Sequence, residues 1–441
     1  MTKRNALLFS VISLLAVSAL PAFADDLLSV YKSALANDPQ FHAAQAAYRA
    51  QLESKNQSSA LLYPSISFSA NVTNNDEKVT IPTPSTTTPY NYKSSGYNLS
   101  LVQPLYRHAN FVGLSQADAQ VAQAQATLDS AKQDLILRVA TRYFAVLAAE
   151  DDLSFAQAER TAIHQQLIQT QQRYKVGLIA ITDVQEAQAR YDQTVASAIV
   201  AENALAISRE TLREITASEP GQLAPLSPTH PLIKPDPADI NQWVSKAMTQ
   251  NALLTATKSA VEVAREEVSR QRAGHFPTLD LVANHSYGDY GGGQFGNREA
   301  EDTTVSLQLN IPIFQGGLVS SLTRAASYRL QEAKDKLEQQ SRATERQTRN
   351  SYLSVIANIS QVTALKQALA SSQVALKATQ AGFEVGTRTA VDVLDSQRGR
   401  YLALRDYAQV RYNYVLETLR LKQAAGTLSE MDIQQLNPWL K

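Results

Sequence analysis

The sequence predicts a mainly α-helical fold with a smaller membrane β-structure, duplicated within one chain. The main observation is a near repeat, since residues 173–184 read RYKVGLIAITDV and residues 382–395 read GFEVGTRTAVDVLD. A constant shift of 209 residues in the chain of 441 superposes the two copies. It pairs Val176 with Val385, Gly177 with Gly386 and Asp183 with Asp392. Long helical patterns and four short alternating stretches surround the two copies and decide the predicted class.

The first 24 residues have the features of a secretory signal peptide. Lys3 and Arg4 give a basic start, residues 6–20 form an apolar run, and residues 22–24 read AFA, which fits a small-x-small cleavage site. We therefore expect an exported protein that begins at Asp25.

Composition limits the classes of partner and site. The chain has 41 basic and 41 acidic residues, and this balance indicates no nucleic-acid partner. It contains no cysteine, so neither disulfides nor thiolate metal sites can hold it together. Burial and oligomerisation have to supply its stability.

Helical patterns occupy most of each repeat. Residues 27–62 and their counterpart 239–273 predict a first helical segment in each copy. A much longer helix follows, from about residue 114 to 174 and from about 318 to 383, with Leu and Ala in a heptad seam. Shorter return helices are predicted at residues 183–215 and 392–425, stacked end to end with the early helices alongside the long ones.

Four stretches between these helices alternate with period two. They lie near residues 65–72, 97–101, 278–281 and 304–311, each about ten residues long, with one apolar and one small-polar face. A barrel strand facing lipid and a soluble sheet with one wet face show the same alternation. Aromatic residues at the strand ends favour the membrane. We expect long polar loops at residues 73–95 and 288–302 within the two strand pairs.

A membrane crossing by this chain would have to use these strands. Beyond residue 24 no run approaches about twenty consecutive apolar residues, the length that a membrane-spanning helix needs. Four strands cannot close a barrel, because the smallest membrane barrels have about eight. An open sheet edge in lipid would leave backbone groups unpaired. Several protomers must therefore share one barrel.

The two repeated segments predict the turns of helical hairpins. Gly177 and Gly386 suit the left-handed conformation that ends a helix. Thr182 and Asp183 in one copy, and Thr389 with Asp392 in the other, are residue types that satisfy free N–H groups at a helix start.

These turns, with the spacing Val-Gly-x-x-x-x-x-Asp-Val present twice, resemble the TolC family of outer-membrane efflux proteins. The resemblance covers essentially the whole mature chain. It implies a homotrimer whose shared 12-stranded β-barrel in outer-membrane lipid continues as a coiled-coil α-helical barrel in the periplasm, with four strands per protomer. It also implies a passive duct for small molecules, for type I protein secretion, or for both. The predicted division is a signal peptide at 1–24, a first repeat at 25–217, a Pro-rich linker at 218–238, a second repeat at 239–426 and a C-terminal segment at 427–441.

The resemblance assigns roles to residues of the turns. Asp392 and Asp395 are three apart on one helix face and would form two rings of carboxylates at a narrow, cation-selecting entrance. From the residues alone, a helix cap at Asp392 and a solvated charge at Asp395 remain an alternative. Arg388 would hold the entrance closed against Thr182 and Asp183.

Two further roles follow from the resemblance. Phe383 stands where relatives often have Tyr, so one gate hydrogen bond would be missing, at about 0.5–1.5 kcal/mol. A periplasmic adaptor protein, recruited with an inner-membrane transporter, would dock on the two turns at Val176, Gly177, Val385 and Gly386.

The sequence offers no catalytic constellation. The six histidines are scattered, and no metalloprotease, nucleophile-elbow or Walker motif occurs. We expect no enzymatic activity, no cofactor and no structural metal site. A soluble periplasmic coiled-coil adaptor or structural rod is the alternative to the duct.

Overall fold

The computed structural model describes residues 25–83 and 85–441, so the predicted signal peptide lies outside the described residues. The first half of the chain contains α1 (Leu27–Asn37), α2 (Pro39–Ala60), β1 (Ser65–Pro82), β2 (Ser85–Arg107), α3 (His108–Lys175) and α4 (Ile181–Thr216). The second half contains α5 (Ile240–Gln250), α6 (Ala252–Arg272), β3 (Thr278–Gly291), β4 (Asn297–Asn310), α7 (Leu318–Glu384), α8 (Ala390–Ala424) and α9 (Glu430–Leu436). The order of elements in the first half recurs in the second.

Each early helical segment is divided in two by a capping residue at the same place. Asp38 begins α2 by accepting a hydrogen bond from the N–H of Phe41 at 3.0 Å, and Pro39 occupies the first helical position. Asn251 begins α6 in the same way, accepting from Leu254 at 2.9 Å. Short polar side chains thus set both helix starts.

The two longest helices organise the rest of the chain. At 68 and 67 residues, α3 and α7 each extend about 100 Å at a rise of ~1.5 Å per residue. Helix α3 contacts α2 and α6 along its first part and α4 and α8 along its second, and α7 contacts α6 and then α8. The early and return helices therefore succeed each other alongside the long ones, as the helix lengths predict.

The largest hydrophobic core lies at mid-length, where α1, α9 and the linker meet the long helices. Tyr143, Phe144, Leu212 and Leu419 are buried there together with Trp243 of α5. The Tyr143 hydroxyl donates a hydrogen bond to the carbonyl oxygen of Ala224 in the linker at 2.7 Å. Burial of this ring raises the pKa of its hydroxyl. The Pro-rich segment is thus tied into the core.

The strands form one antiparallel sheet in the order β1-β2-β3-β4. Strands β2 and β3 pair across the sheet centre, with Tyr97 opposite Tyr287, and so join the two halves of the chain. One face carries unburied apolar side chains that are 62–80% exposed, namely Ile66, Phe68, Val72, Val305, Leu307 and Leu309. The other face carries Ser, Thr, Asn and Gln, as the alternation predicts.

The expected long loops were wrong. Residues 73–82 lie in β1 and residues 85–95 in β2, and these strands stay paired as far as Pro82 and Ser85, while the loop predicted at 288–302 shrinks to residues 292–296. The four strands are 18, 23, 14 and 14 residues long instead of about ten. Polar cross-strand contacts hold the extension, including the Thr80 and Thr87 hydroxyls at 3.0 Å. Such pairs carry no hydrophobic periodicity, so the sequence pattern missed them.

None of the helices in the described ranges combines the length and the apolar character needed to cross a membrane.

Candidate functional site

Both hairpin turns close with the same backbone geometry. Gly177 has φ 75° and Gly386 has φ 81°, values in the left-handed region that a Cβ would strain. The N–H of Leu178 donates to the carbonyl of Arg173 at 3.0 Å, and that of Thr387 donates to Gly382 at 2.8 Å. These bonds satisfy carbonyl groups at the ends of α3 and α7.

Apolar side chains project from the tips of these turns. Val176, Leu178 and Val385 are 71–75% exposed, although each is a residue type that normally favours burial. Val176 follows Lys175, and Val385 follows Glu384. The tips therefore present small, duplicated apolar surfaces to solvent.

Asp392 caps α8 through a reciprocal pair of hydrogen bonds. Its carboxylate accepts from the Thr389 N–H at 2.8 Å and from the Thr389 hydroxyl at 2.9 Å, while the Asp392 N–H donates to that hydroxyl at 3.2 Å. The backbone N–H, then the hydroxyl, then the positive charge of Arg388 lower the pKa of Asp392. The carboxylate is therefore held in its ionised form.

The first turn is capped differently from its copy, and the predicted cap was wrong. Ala180 stands at the N-cap position of α4 and forms no side-chain cap bond, because α4 begins at Ile181. Thr182 and Asp183 consequently lie inside the first helical turn. There Asp183 places a negative charge near the positive end of the helix dipole.

Asp395 forms an ion pair that the sequence did not reveal. The Arg190 guanidinium of α4 lies 2.9 Å from the Asp395 carboxylate of α8, and the Asp395 side chain is 58% exposed. The two residues are 205 positions apart. The contact therefore joins the return helices of the two copies.

Phe383 is buried near the second turn and has an aromatic contact instead of a hydroxyl bond. It packs with Ala390 and Val393, and the Arg173 guanidinium lies 4.2 Å from the centre of its ring. Arg173 belongs to the last turn of α3. A cation–π contact over the face of the Phe383 ring thus links the ends of α3 and α7.

Arg388 lies against its own hairpin. Its N–H donates to the carbonyl of Gly382 at 3.2 Å, and a Cβ at Gly382 would stand 2.7 Å from the Arg388 Cγ. Within residues 25–83 and 85–441 of a single chain, no hydrogen bond or ion pair joins Arg388 to Thr182 or Asp183. Any such contact would have to join neighbouring protomers.

A small buried cluster supports the two ion-paired helices. Ile163 and Leu167 of α3 pack with Ala187 of α4 and Leu394 of α8, and Tyr191 covers them. Next to this cluster two buried glutamines, Gln166 and Gln397, each have one amide atom without a hydrogen-bond partner. The helices behind the turns therefore pack closely, although these two amide atoms have no hydrogen-bond partner.

In the part of the chain that the structure describes, no group of three or more His, Cys, Asp or Glu side chains is placed to hold a metal ion.

Comparison with known proteins decides the family. The sequence profile described as "Outer membrane efflux protein" matches residues 30–218 and 243–427. The chain belongs to the outer membrane efflux protein family. The two matched ranges fall on the two recurring halves of the fold.

Relatives match along nearly the whole chain. Outer membrane protein TolC of Vibrio cholerae is 38% identical over 424 residues, covering 95% of this chain and 94% of that protein. Outer membrane protein TolC of Escherichia coli is 35% identical, covering 94% of this chain and 85% of that protein. The alkaline protease secretion protein AprF of Pseudomonas aeruginosa is 30% identical, covering 94% and 87%.

Solved structures share the fold at low sequence identity. The Campylobacter jejuni CmeC outer membrane channel superposes with a TM-score of 0.79 at 13% identity, covering 94% of this chain and 90% of that one. The outer membrane protein VceC of Vibrio cholerae gives 0.77 at 18% identity, covering 91% and 96%. A mainly helical chain with a four-stranded sheet is thus the fold of this family.

Family membership confirms three expectations from the sequence: the resemblance, the outer-membrane location and the export function. The alternative of a soluble periplasmic rod or adaptor does not agree with it. The family is defined by efflux and not by a catalysed reaction.

Proposed function

We propose that this efflux protein is a passive export duct formed by three copies of the chain. The observation that carries the proposal is a four-stranded sheet with an exposed apolar face, whose strands β2 and β4 lead into helices about 100 Å long. In the described chain β1 and β4 each pair on one side. Three sheets joined at these edges would make a closed barrel of twelve strands, which leaves no unpaired edge in lipid.

The helices would continue this barrel into the periplasm. Near the sheet the helices lie side by side in the order α2, α3, α6, α7. Towards the turns the order is α4, α3, α8, α7, so α4 and α7 form the two edges of the protomer there. Both edges carry exposed apolar side chains: Ile199 and Val200 on α4, and Leu353 and Val374 on α7. Contact between neighbouring copies would bury them. We assign residues 25–217 and 239–426 as the structural repeats, 218–238 as the linker and 427–441 as the C-terminal segment.

The apolar tips support docking of further components. Val176, Gly177, Val385 and Gly386 form two copies of one turn with exposed valines. A periplasmic adaptor would bind there and connect the duct to an inner-membrane transporter that supplies the energy. Relatives named for protease secretion and for efflux support either protein or small-molecule cargo.

The turns would also form the entrance. In three copies, Asp392 and Asp395 would make two rings of carboxylates that select for cations and bind multivalent ions. Arg388 of one protomer would contact Thr182 and Asp183 of a neighbour, and the buried Phe383 would support its own hairpin. Opening would separate the hairpins.

Single-channel conductance in planar lipid bilayers tests the proposal. The mature protein is compared with Asp392→Ala/Asp395→Ala, with and without hexaamminecobalt(III) on the periplasmic side. We expect a small cation-selective conductance that the trivalent ion blocks, and loss of block in the double variant. Asp335→Ala/Glu338→Ala removes two carboxylates with the same spacing from exposed positions of α7 and should leave block unchanged.

The outcomes separate the duct from its entrance. Conductance with unchanged block in the double variant would keep the duct and return Asp392 to helix capping. Absence of any insertion by a folded oligomer would contradict the duct.

A further inference from the structure

The entrance that we propose carries a positive charge as well as its carboxylates. Within one chain, Arg190 of α4 in the first repeat pairs with Asp395 of α8 in the second repeat at 2.9 Å. Its side chain is partly buried, whereas that of Asp395 is mostly exposed. No other residue of the described chain forms an ion pair within 4.0 Å of Asp395. Each protomer therefore supplies its own counter-charge.

Packing beneath the pair fixes its position. Ala187, three residues before Arg190, and Leu394, next to Asp395, are in the same buried cluster. The start of α8 is further held by the Thr389 and Asp392 cap. Because both partners project from helices that are locked together, the contact is held by the fold and does not depend on a mobile loop.

A second arginine in this region has a different partner. Arg398 lies one turn after Asp395. Arg398 and Arg190 both line a cavity of about 770 Å³ between α3, α4 and α8. Glu159 of α3 lines that cavity too, and the charge of Arg398 acts on it. Arg190 thus remains as the counter-charge of Asp395.

We infer that Arg190 determines the ion specificity of the entrance by neutralising Asp395, so that Asp392 contributes most of the negative charge there. This inference rests on the proposed duct and deepens it. Each of the three protomers would then present one carboxylate without an ion-pair partner instead of two. Removing the arginine charge would restore the second ring.

The consequence is measurable as tighter block. An unpaired carboxylate within a few ångströms attracts a trivalent ion strongly, although water at an exposed site screens the attraction. We expect Arg190→Gln to lower the hexaamminecobalt(III) concentration for half block about threefold to tenfold and to raise cation over anion selectivity. Arg190→Lys keeps the charge and should remain close to the unchanged protein.

A double-mutant comparison shows whether Arg190 acts through Asp395. Asp395→Asn alone should weaken block, because it leaves the positive charge of Arg190 without a partner. Arg190→Gln/Asp395→Asn removes both charges and should therefore return block close to that of the unchanged protein. Arg209→Gln is the matched control: Arg209 lies on the same helix and pairs with Glu150 of α3 at 2.8 Å, far from the turns. It should leave block unchanged.

Results that overturn this inference differ from those that overturn the duct. If Arg190→Gln leaves block unchanged, or if the double variant stays as tightly blocked as Arg190→Gln, the inference fails while the duct stands. If Asp392→Ala/Asp395→Ala keeps full block, the proposed carboxylate entrance is contradicted, whatever Arg190→Gln does. Tightening by Arg190→Gln that depends on Asp395 supports both.

Discussion

At the residue scale, the two turns of the duplication differ in how the helix that follows each of them is capped. The second turn has a threonine cap with a reciprocal aspartate, whereas the first has Ala180 at the same position and no side-chain cap. A capped helix start is more stable than an uncapped one by about 0.5–2 kcal/mol. The first return helix therefore depends more on its packing against α3.

The cap of α8 also predicts how block by cations depends on pH. The folded-state pKa of Asp392 is lowered below its ordinary value of 3.8, so the contribution of this carboxylate to stability is fully present above that pH and lost as pH falls through the lower value. We expect hexaamminecobalt(III) block to stay constant from about pH 7 to about pH 5 and to weaken only below the ordinary value. Conductance recorded in a pH series checks this.

A variant of the cap serves as comparison. Thr389→Val removes one of the bonds to the carboxylate, so its block should weaken at a higher pH than that of the unchanged protein. Block that already declines near pH 6 in the unchanged protein, without any effect of Thr389→Val, would contradict the assignment to Asp392.

Phe383 lacks a hydroxyl group that the resemblance leads us to expect, and the structure shows what its ring contacts. The Arg173 guanidinium lies over the ring. A contact of this kind contributes about 0.5–2 kcal/mol. A tyrosine ring could form the same contact, so the contact does not offset the hydrogen bond of the missing hydroxyl, and the effect of Phe383 on the gate stays a prediction.

At the element scale, single polar residues set the starts of α2 and α6, and one of these residues is part of a buried ion pair. Asp38 caps α2 and contacts the Arg138 guanidinium of α3 at 2.5 Å, with its own side chain 2% exposed. Burial acts to raise the pKa of Asp38, but hydrogen bonds from Arg138 and Phe41 outweigh it and the pKa is lowered. The residue thus fixes both the start of α2 and its packing on α3.

This double role predicts a large effect of substitution. Asp38→Ala should reduce the free energy of unfolding by about 3 kcal/mol, because it leaves a partly buried arginine with one partner fewer. Asn251→Ala removes the equivalent cap of α6 and the hydrogen bond that its amide donates to the Ala424 carbonyl, but no ion pair, and should cost about 1–2 kcal/mol. Urea unfolding in detergent measures both. Equal losses in the two variants would show that the ion pair contributes nothing beyond the cap.

At the scale of the whole molecule, the apolar surface that a single chain leaves uncovered favours the proposed oligomer. The outward face of the sheet suits lipid, while the exposed side chains on α4 and α7 lie on opposite edges of the helical layer. Both edges are apolar, so repeating the protomer around an axis would bring them together and cover both. The tips remain exposed in such an assembly.

Two substitutions of equally exposed valines distinguish these surfaces. Val200→Asp on the α4 edge should dissociate the oligomer, because a carboxylate would be buried without a partner between copies. Val176→Asp at the first tip should leave the oligomer intact and weaken adaptor binding. Analytical ultracentrifugation in detergent and co-purification with an adaptor report the two effects. An intact oligomer with Val200→Asp would place the interface elsewhere.

Sequence by itself determined the features that repeat along the chain. The paired turns at Gly177 and Gly386, the long helices and the alternating strands all follow from local periodicity and from residues that favour one backbone conformation. Only the tertiary structure decided which distant residues meet. Arg190 reaches Asp395 across 205 positions, and Arg173 covers Phe383, because the two hairpins pack side by side. Likewise residues 73–82 and 85–95 became strand because each found a partner across the hairpin. Contacts of this kind depend on the position of a second segment, which no local pattern records.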